Sequence, residues 1–269
     1  MLTKTVRRIR SELVFLQAQW RANFASAMEY RAAFISQIVG MFINDAVYFA
    51  FWLVFFDRFK QVRGWGMTDM FLLMSIVALG YGLAFTFFGN ALQLSRIIAQ
   101  GQLDYYLALP RSVLLNVLAS RMSQSALGDI SFGIVTFLFA DRLSAPQIGL
   151  WLAASLLASV VFVMAFTLFH SLTFWLGNAS GLAEQAMNAM LTFAMYPSDI
   201  FQGAIRFLML TVLPAAFVGA MPLHVVRALD FGGLALLAGA ALILTLVSSR
   251  VFYTGLRRYE SGSALNVNV

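Results

Sequence analysis

Long apolar runs separated by short polar interruptions dominate the chain. The first is roughly Ala32–Phe56, apolar except for Gln37, Asn44 and Asp45. Asp57, Arg58, Lys60 and Arg63 close it, and Gly64-Trp65-Gly66 completes a short loop. The second run starts near Asp69, passes through Phe71–Asn90 and continues amphipathically to Ile98. The third covers roughly Leu114–Ala140 and contains Arg121, Gln124 and Asp129. A short loop, Asp141–Pro146, leads to a fourth run at Ile148–Leu176; a fifth covers Leu182–Tyr196 and the last Phe231–Phe252. A helix of about 20 apolar residues crosses the hydrocarbon core of a bilayer. The pattern therefore predicts an all-α polytopic membrane protein with six transmembrane helices in a single domain, residues 1–269.

Two segments depart from this pattern. In residues 1–30, Val6, Ile9, Leu13, Leu16, Trp20 and Phe24 recur at helical spacing, while Arg7, Arg8, Arg10 and Arg21 lie off that stripe. This predicts an amphipathic helix, lying in the membrane interface with its basic face toward headgroups or packed on a partner protein. Residues 197–222 run from Pro197 through Ile200, Phe201, Gly203 and Arg206 to Pro214 and Pro222. Ser198 or Asp199 offers a helix cap and Pro214 a stop or kink. About 15 residues of helix rise only about 22 Å, too short for a crossing. A re-entrant helical pair fits better than one kinked helix.

Composition agrees with membrane burial: 61% of residues are hydrophobic and only 11% charged. An ordinary soluble domain carries roughly 25% charged residues. The net charge of +6 reflects sidedness rather than nucleic-acid binding. With the N-terminus inside, twelve of the 18 Lys and Arg fall on the cytoplasmic side; Arg58, Lys60, Arg63, Arg142, Arg206 and Arg227 fall outside. That agrees with the positive-inside rule and places both termini in the cytoplasm. The chain has no Cys, which removes thiolate metal sites and Cys nucleophiles.

Catalytic motifs are missing. There is no G-x-x-x-x-G-K-[ST], no H-E-x-x-H and no G-x-S-x-G, so neither a P-loop ATPase, a zinc protease nor a serine hydrolase is indicated. His170, alone in an apolar run, reads as a hydrogen-bonding residue between helices. No catalytic residue and no metal ligand set is predicted. The intramembrane polar residues Asp45, Arg121 and Asp129 are costly to bury. Arg121 and Asp129 stand two helical turns apart, positioned to pair through Gln124 or with another helix. Asp45 and Asp129 read as structural polar contacts between helices; the alternative is a proton-coupled secondary transporter that uses both carboxylates as relay sites.

Gly101-Gln102-Leu103-Asp104-Tyr105-Tyr106-Leu107-Ala108-Leu109-Pro110 is the most informative polar-side segment. Gly101 breaks the preceding helix and Pro110 closes a short one, leaving two tyrosines on a cytoplasmic loop. Such aromatics mark a docking surface, or else rest on lipid headgroups. The pattern Gly101-x-Leu103-Asp104-x-x-Leu107-x-x-Pro110 resembles the signature of bacterial ABC-2-type transporter permeases. Tyr196-Pro197 through Ile200-Phe201-x-Gly203 and Arg206, the tail Gly255–Ser261 and the early Tyr30-Arg31 are similar to the same family, in the same order.

The resemblance implies an ATP-driven exporter of the bacterial inner membrane, carrying an amphipathic or hydrophobic substrate. It implies a second permease, as homodimer or related heterodimer, and two cytoplasmic ABC ATPase subunits that hold the ATP and Mg; this chain itself binds no cofactor. Residues 101–110 then become the coupling helix, with Gly101, Leu103, Asp104, Tyr105, Tyr106, Leu107 and Pro110 meeting the ATPase. Residues 1–30 become the connecting helix, and Pro197, Ile200, Phe201, Gly203 and Arg206 belong to the re-entrant gate.

Overall fold

The computed structural model describes residues 2–141 and 143–260, with side chains from Arg10 onward except that of Asp199. Arg142 and the last residue of the Gly255–Ser261 motif lie outside the described residues, as do the side chains of Val6, Arg7, Arg8 and Ile9.

The N-terminal helix α1 (Leu2–Glu29) is separated by Tyr30 alone from α2 (Arg31–Phe59). The side of α1 turned to the protein carries Leu16, Trp20 and Ala27, whereas Leu13, expected on that stripe, is exposed. The loop after α2 holds a minimal hairpin that the hydrophobic pattern does not show. Strands β1 (Gln61–Val62) and β2 (Trp65–Gly66) pair antiparallel. Arg63 and Gly64 turn between them with φ of 50° and 83°, the two positive values a tight two-residue hairpin turn demands.

Helix α3 (Met67–Phe88) follows, then a 3-10 turn at Gly89–Gln93 and α4 (Leu94–Ala99). The short helices α5 (Leu103–Leu107) and α6 (Val113–Ala119) precede α7 (Ala126–Leu138). Here the structure corrects the third predicted span. Leu114–Ala140 is not one helix: residues 120–125 interrupt it, and Arg121 is exposed in the break. The sequence there is Ser-Arg-Met-Ser-Gln-Ser, and its hydroxyls bond locally: Ser120 Oγ donates to the Val117 carbonyl at 2.8 Å, and Ser123 and Ser125 pair at 3.0 Å. Serines of this kind offer the backbone an alternative to the helix. The proposed Arg121–Asp129 pairing fails for the same reason, since the two residues no longer share a helix.

Helix α8 (Ala145–Ser171) continues after Leu172 into α9 (Thr173–Leu176), and α10 (Ser180–Ala194) is next. The segment predicted to re-enter contains a 3-10 turn at Ser198–Ile200, α11 (Ala204–Thr211), a second turn at Ala215–Phe217 and α12 (Ala220–Ala228). Gly203, at φ 58°, precedes α11 in place of the expected Ser198 or Asp199 cap. Pro214 separates the two helices, which bend by 65°. Pro222 lies inside α12 rather than ending the segment, because proline is tolerated in a first helical turn. Helix α13 (Phe231–Leu256) starts at Asp230, whose carboxylate accepts the Gly233 N–H at 2.9 Å.

Among the described residues, α2, α3 with α4, α8 with α9, and α13 are long and apolar enough to cross a membrane, and the bent pair α11–α12 would make a fifth. The core is built on α3 and α8, with Phe85, Phe162, Met70 and Leu73 fully buried. Helix α7 wedges between α2 and α3 because glycine lets backbones touch. A β-carbon at Gly128 would stand 2.7 Å from Met41 Cβ, and one at Gly82 2.7 Å from the Ile130 nitrogen. The Trp151 indole donates to Ser75 Oγ at 3.0 Å and stacks on Phe137, tying α8 to α3 and α7.

Candidate functional site

One end of the bundle gathers part of α1 and the last turns of α13 around α5. Gly101 reaches φ 73° and ends the preceding helix, as its position predicts. The five residues of α5 then divide into two faces. Leu103 is 0% exposed and belongs to the core, while Tyr105 is 68% and Leu107 45% exposed. Tyr106 turns inward: its hydroxyl meets Ser120 Oγ at 2.8 Å, and Asn90 Nδ2 donates to that serine at 2.6 Å and to the Val117 carbonyl at 3.0 Å. Of the residues expected to meet the ATPase, Leu103 and Tyr106 turn inward, and Tyr105 and Leu107 outward. A five-residue helix has two sides, and the Leu103 side must bury.

Further ties fix this corner. The Tyr259 phenol, just beyond α13, lies against Asp104 and the backbone of Leu103; burial and then the Asp104 carboxylate push its pKa up to about 12. Ser112 Oγ and Tyr253 Oη are 3.1 Å apart. Arg111 donates to Ser11 Oγ at 2.6 Å, sits 3.7 Å from Glu12 and lies 5.0 Å over the Phe15 ring. Helix α1 is also held by Trp20 Nε1 donating to the Phe87 carbonyl at 2.9 Å and Asn23 Nδ2 to the Ala119 carbonyl at 3.0 Å. Sequence reasoning missed Asn90 and Arg111, and it placed Tyr259 in the tail motif without its contact to Asp104. Their neighbours in space are far away along the chain, and no local spacing announces such pairings.

At the opposite end the hairpin, α11 and α12 surround a cavity of about 520 Å³ that includes Arg63, Arg206, His224 and Arg227 in its wall. Of the predicted gate residues, Arg206 lines this cavity, while Phe201 packs edge-on against Phe193 of α10 and Pro197 is buried. Ile200 and Gly203 are exposed. Asp69 is buried at the start of α3, accepts the Gly66 N–H at 2.8 Å and meets Arg227 Nη2 at 2.5 Å. That ion pair fastens α12 to α3.

Between the two ends, Asp45 of α2 and Asp129 of α7 come within side-chain hydrogen-bonding reach of each other. Both line a cavity of about 190 Å³. Arg121 is not part of it. His170 pairs with Ser95 Oγ at 2.7 Å across α8 and α4, the interhelical bond expected of it. Among the described residues no three His, Cys, Asp or Glu side chains converge as a metal site would require.

The arrangement is that of a multi-pass membrane protein with a restrained short helix at one end and a bent helical pair at the other. No curated protein and no solved structure matches the chain. The family model described as ABC-2 family transporter protein matches residues 42–263, which takes in α5, the bent pair and α13. By that match the chain belongs to the ABC-2 family of transporters and is a membrane permease of the ABC-2 type.

Proposed function

We propose that this permease is the membrane subunit of an ATP-driven exporter, acting with two separate ABC ATPase subunits that hold the ATP and Mg, and with a second permease copy or a related permease. In this reading the chain makes six crossings: α2, α3–α4, α6–α7, α8–α9, α10 and α13, with α11–α12 re-entering from the outer side. The observation that carries it is the division of α5. A short helix anchored by Leu103 and Tyr106, yet presenting Tyr105 and Leu107, is built to pass force through its exposed face into a fixed core. Because the chain has no P-loop, the force must arrive from a partner.

The test is co-expression with candidate ABC ATPase subunits from the same genome. The ATPase should co-purify with the permease in detergent, and its hydrolysis rate should change on assembly. A permease that purifies alone and moves substrate on a pH gradient without ATP would instead establish the proton-coupled alternative.

The sidedness is tested separately, and the absence of native Cys makes it simple. A cysteine at Gln61 in the hairpin should react with an impermeant maleimide added outside intact, outer-membrane-permeabilised cells. One at Arg257 should react only after lysis. The reverse pattern would put both termini outside and remove α5 from the ATP-bearing side.

A further inference from the structure

We infer that the cavity holding Asp45 and Asp129 is a binding site for a monovalent organic cation with an apolar body. The inference rests on the transport reading above and names the class of cargo.

Asp129 is 4% exposed, and the Oδ2 atoms of both Asp45 and Asp129 are buried without a hydrogen-bond partner. A purely structural polar contact satisfies its oxygens, because an unmet buried acceptor is expensive. Here two acceptors are left open, and both residues line a cavity. The wall of that cavity contains no Lys, Arg or His. Removing two neighbouring carboxylates from water with no opposing charge is costlier still; a proton held between them meets part of that cost, and a cation seated in the cavity would meet it without protonation.

The rest of the wall describes what carries that charge. Tyr81 and Phe132 supply aromatic faces, and Met74 and Met195 supply polarizable thioethers. Tyr81 stands close enough to interact electrostatically with both carboxylates. Aromatic faces attract cations, quaternary ammonium groups above all. A metal ion is less well served, since among the described residues no third acid, His or Cys converges on the two carboxylates and the rest of the wall is mostly apolar. Asn44 and Tyr48 are exposed on α2 and mark the mouth. A lipophilic cation could therefore enter sideways, between α2 and α10.

The probe is tritiated benzyltrimethylammonium, and the assay is equilibrium dialysis with the purified permease alone. Saturable binding is expected, weakened about tenfold or more, equivalent to 1.4 kcal/mol, by Asp129→Asn and by Asp45→Asn. Asp129→Glu should retain most of it, and neopentylbenzene, the neutral isostere, should not compete. No saturable binding to the wild type, or unchanged binding in both Asn variants, overturns the site. Should the Asn variants fail to fold, the wild-type protein decides. Benzyltrimethylammonium should slow carbodiimide modification of Asp45 and Asp129 read by mass spectrometry. Modification that the cation does not slow means the pair holds only a proton, and the inference is wrong. No ATPase enters these assays, so its failure to associate would leave their result standing.

Discussion

Tyr105→Ala is expected to abolish stable association with the ATPase subunits while the permease still inserts and elutes as a folded species. Among the described residues no hydrogen bond or ion pair holds Tyr105; its ring meets the edge of Tyr106, 5.2 Å away, and it is 68% exposed. An aromatic anchor at the centre of an interface is worth about 2 kcal/mol or more, roughly thirtyfold in affinity. Leu107→Ala should act in the same direction and less strongly. Tyr106→Ala should behave differently. It strips a partner from the Asn90–Ser120 network, and an unsatisfied buried group costs about 1–3 kcal/mol. Its first effect is therefore on thermal stability, read as a lower unfolding temperature of the detergent-purified permease. If Tyr105→Ala leaves co-purification and substrate-stimulated hydrolysis at wild-type levels, α5 is only a membrane-surface anchor and the coupling assignment fails.

Gly128→Leu is expected to remove folded permease from the membrane altogether. The new β-carbon alone would crowd Met41 Cβ at 2.7 Å and the Phe42 nitrogen at 3.0 Å. Backbone cannot swing aside as a flexible side chain does. Overpacking in an adaptable core costs about 1–3 kcal/mol; here α2 would have to leave α7. Gly149→Leu is the control, since nothing lies within 4 Å of its β-position. Size-exclusion profiles of tagged protein should show a sharp peak for the control and aggregate or no signal for Gly128→Leu. Equal profiles would mean that α2 is free to move off α7 without loss of the fold.

The sequence showed the long spans and the boundaries of α5 because each has a local cause. Twenty or more apolar residues leave a backbone little choice but helix in lipid, and Gly101 and Pro110 punctuate regardless of context. The bend at Pro214 was legible for the same reason. What hydropathy could not show was the break at residues 120–125. Three serines and Arg121 are few enough to average into an apolar window, yet their local hydrogen bonds end the helix. The break removes the shared helix on which Asp129 would pair with Arg121 through Gln124; the other expectation, a partner on another helix, is what Asp129 finds in Asp45 of α2. Asp45 and Asp129 were both singled out by their cost in a bilayer, but which of them meet is a matter of packing set by Gly128 and Gly82. The inward turn of Tyr106 was likewise invisible, since adjacent residues on a short helix share no pattern that tells inside from outside.

The ties that fix α5 also carry a consequence for how the molecule is made. Arg111 reaches Ser11 across 100 residues and Ser112 reaches Tyr253 across 141. Contacts this distant along the chain form late, because a long loop must close before they gain anything. During synthesis α5 emerges early, but the tie to Tyr253 does not exist until α13 has been made and inserted. A partly made permease therefore has its short helix in place but not braced. Any protein that reads the braced geometry is told, by that alone, that α13 has been made and inserted.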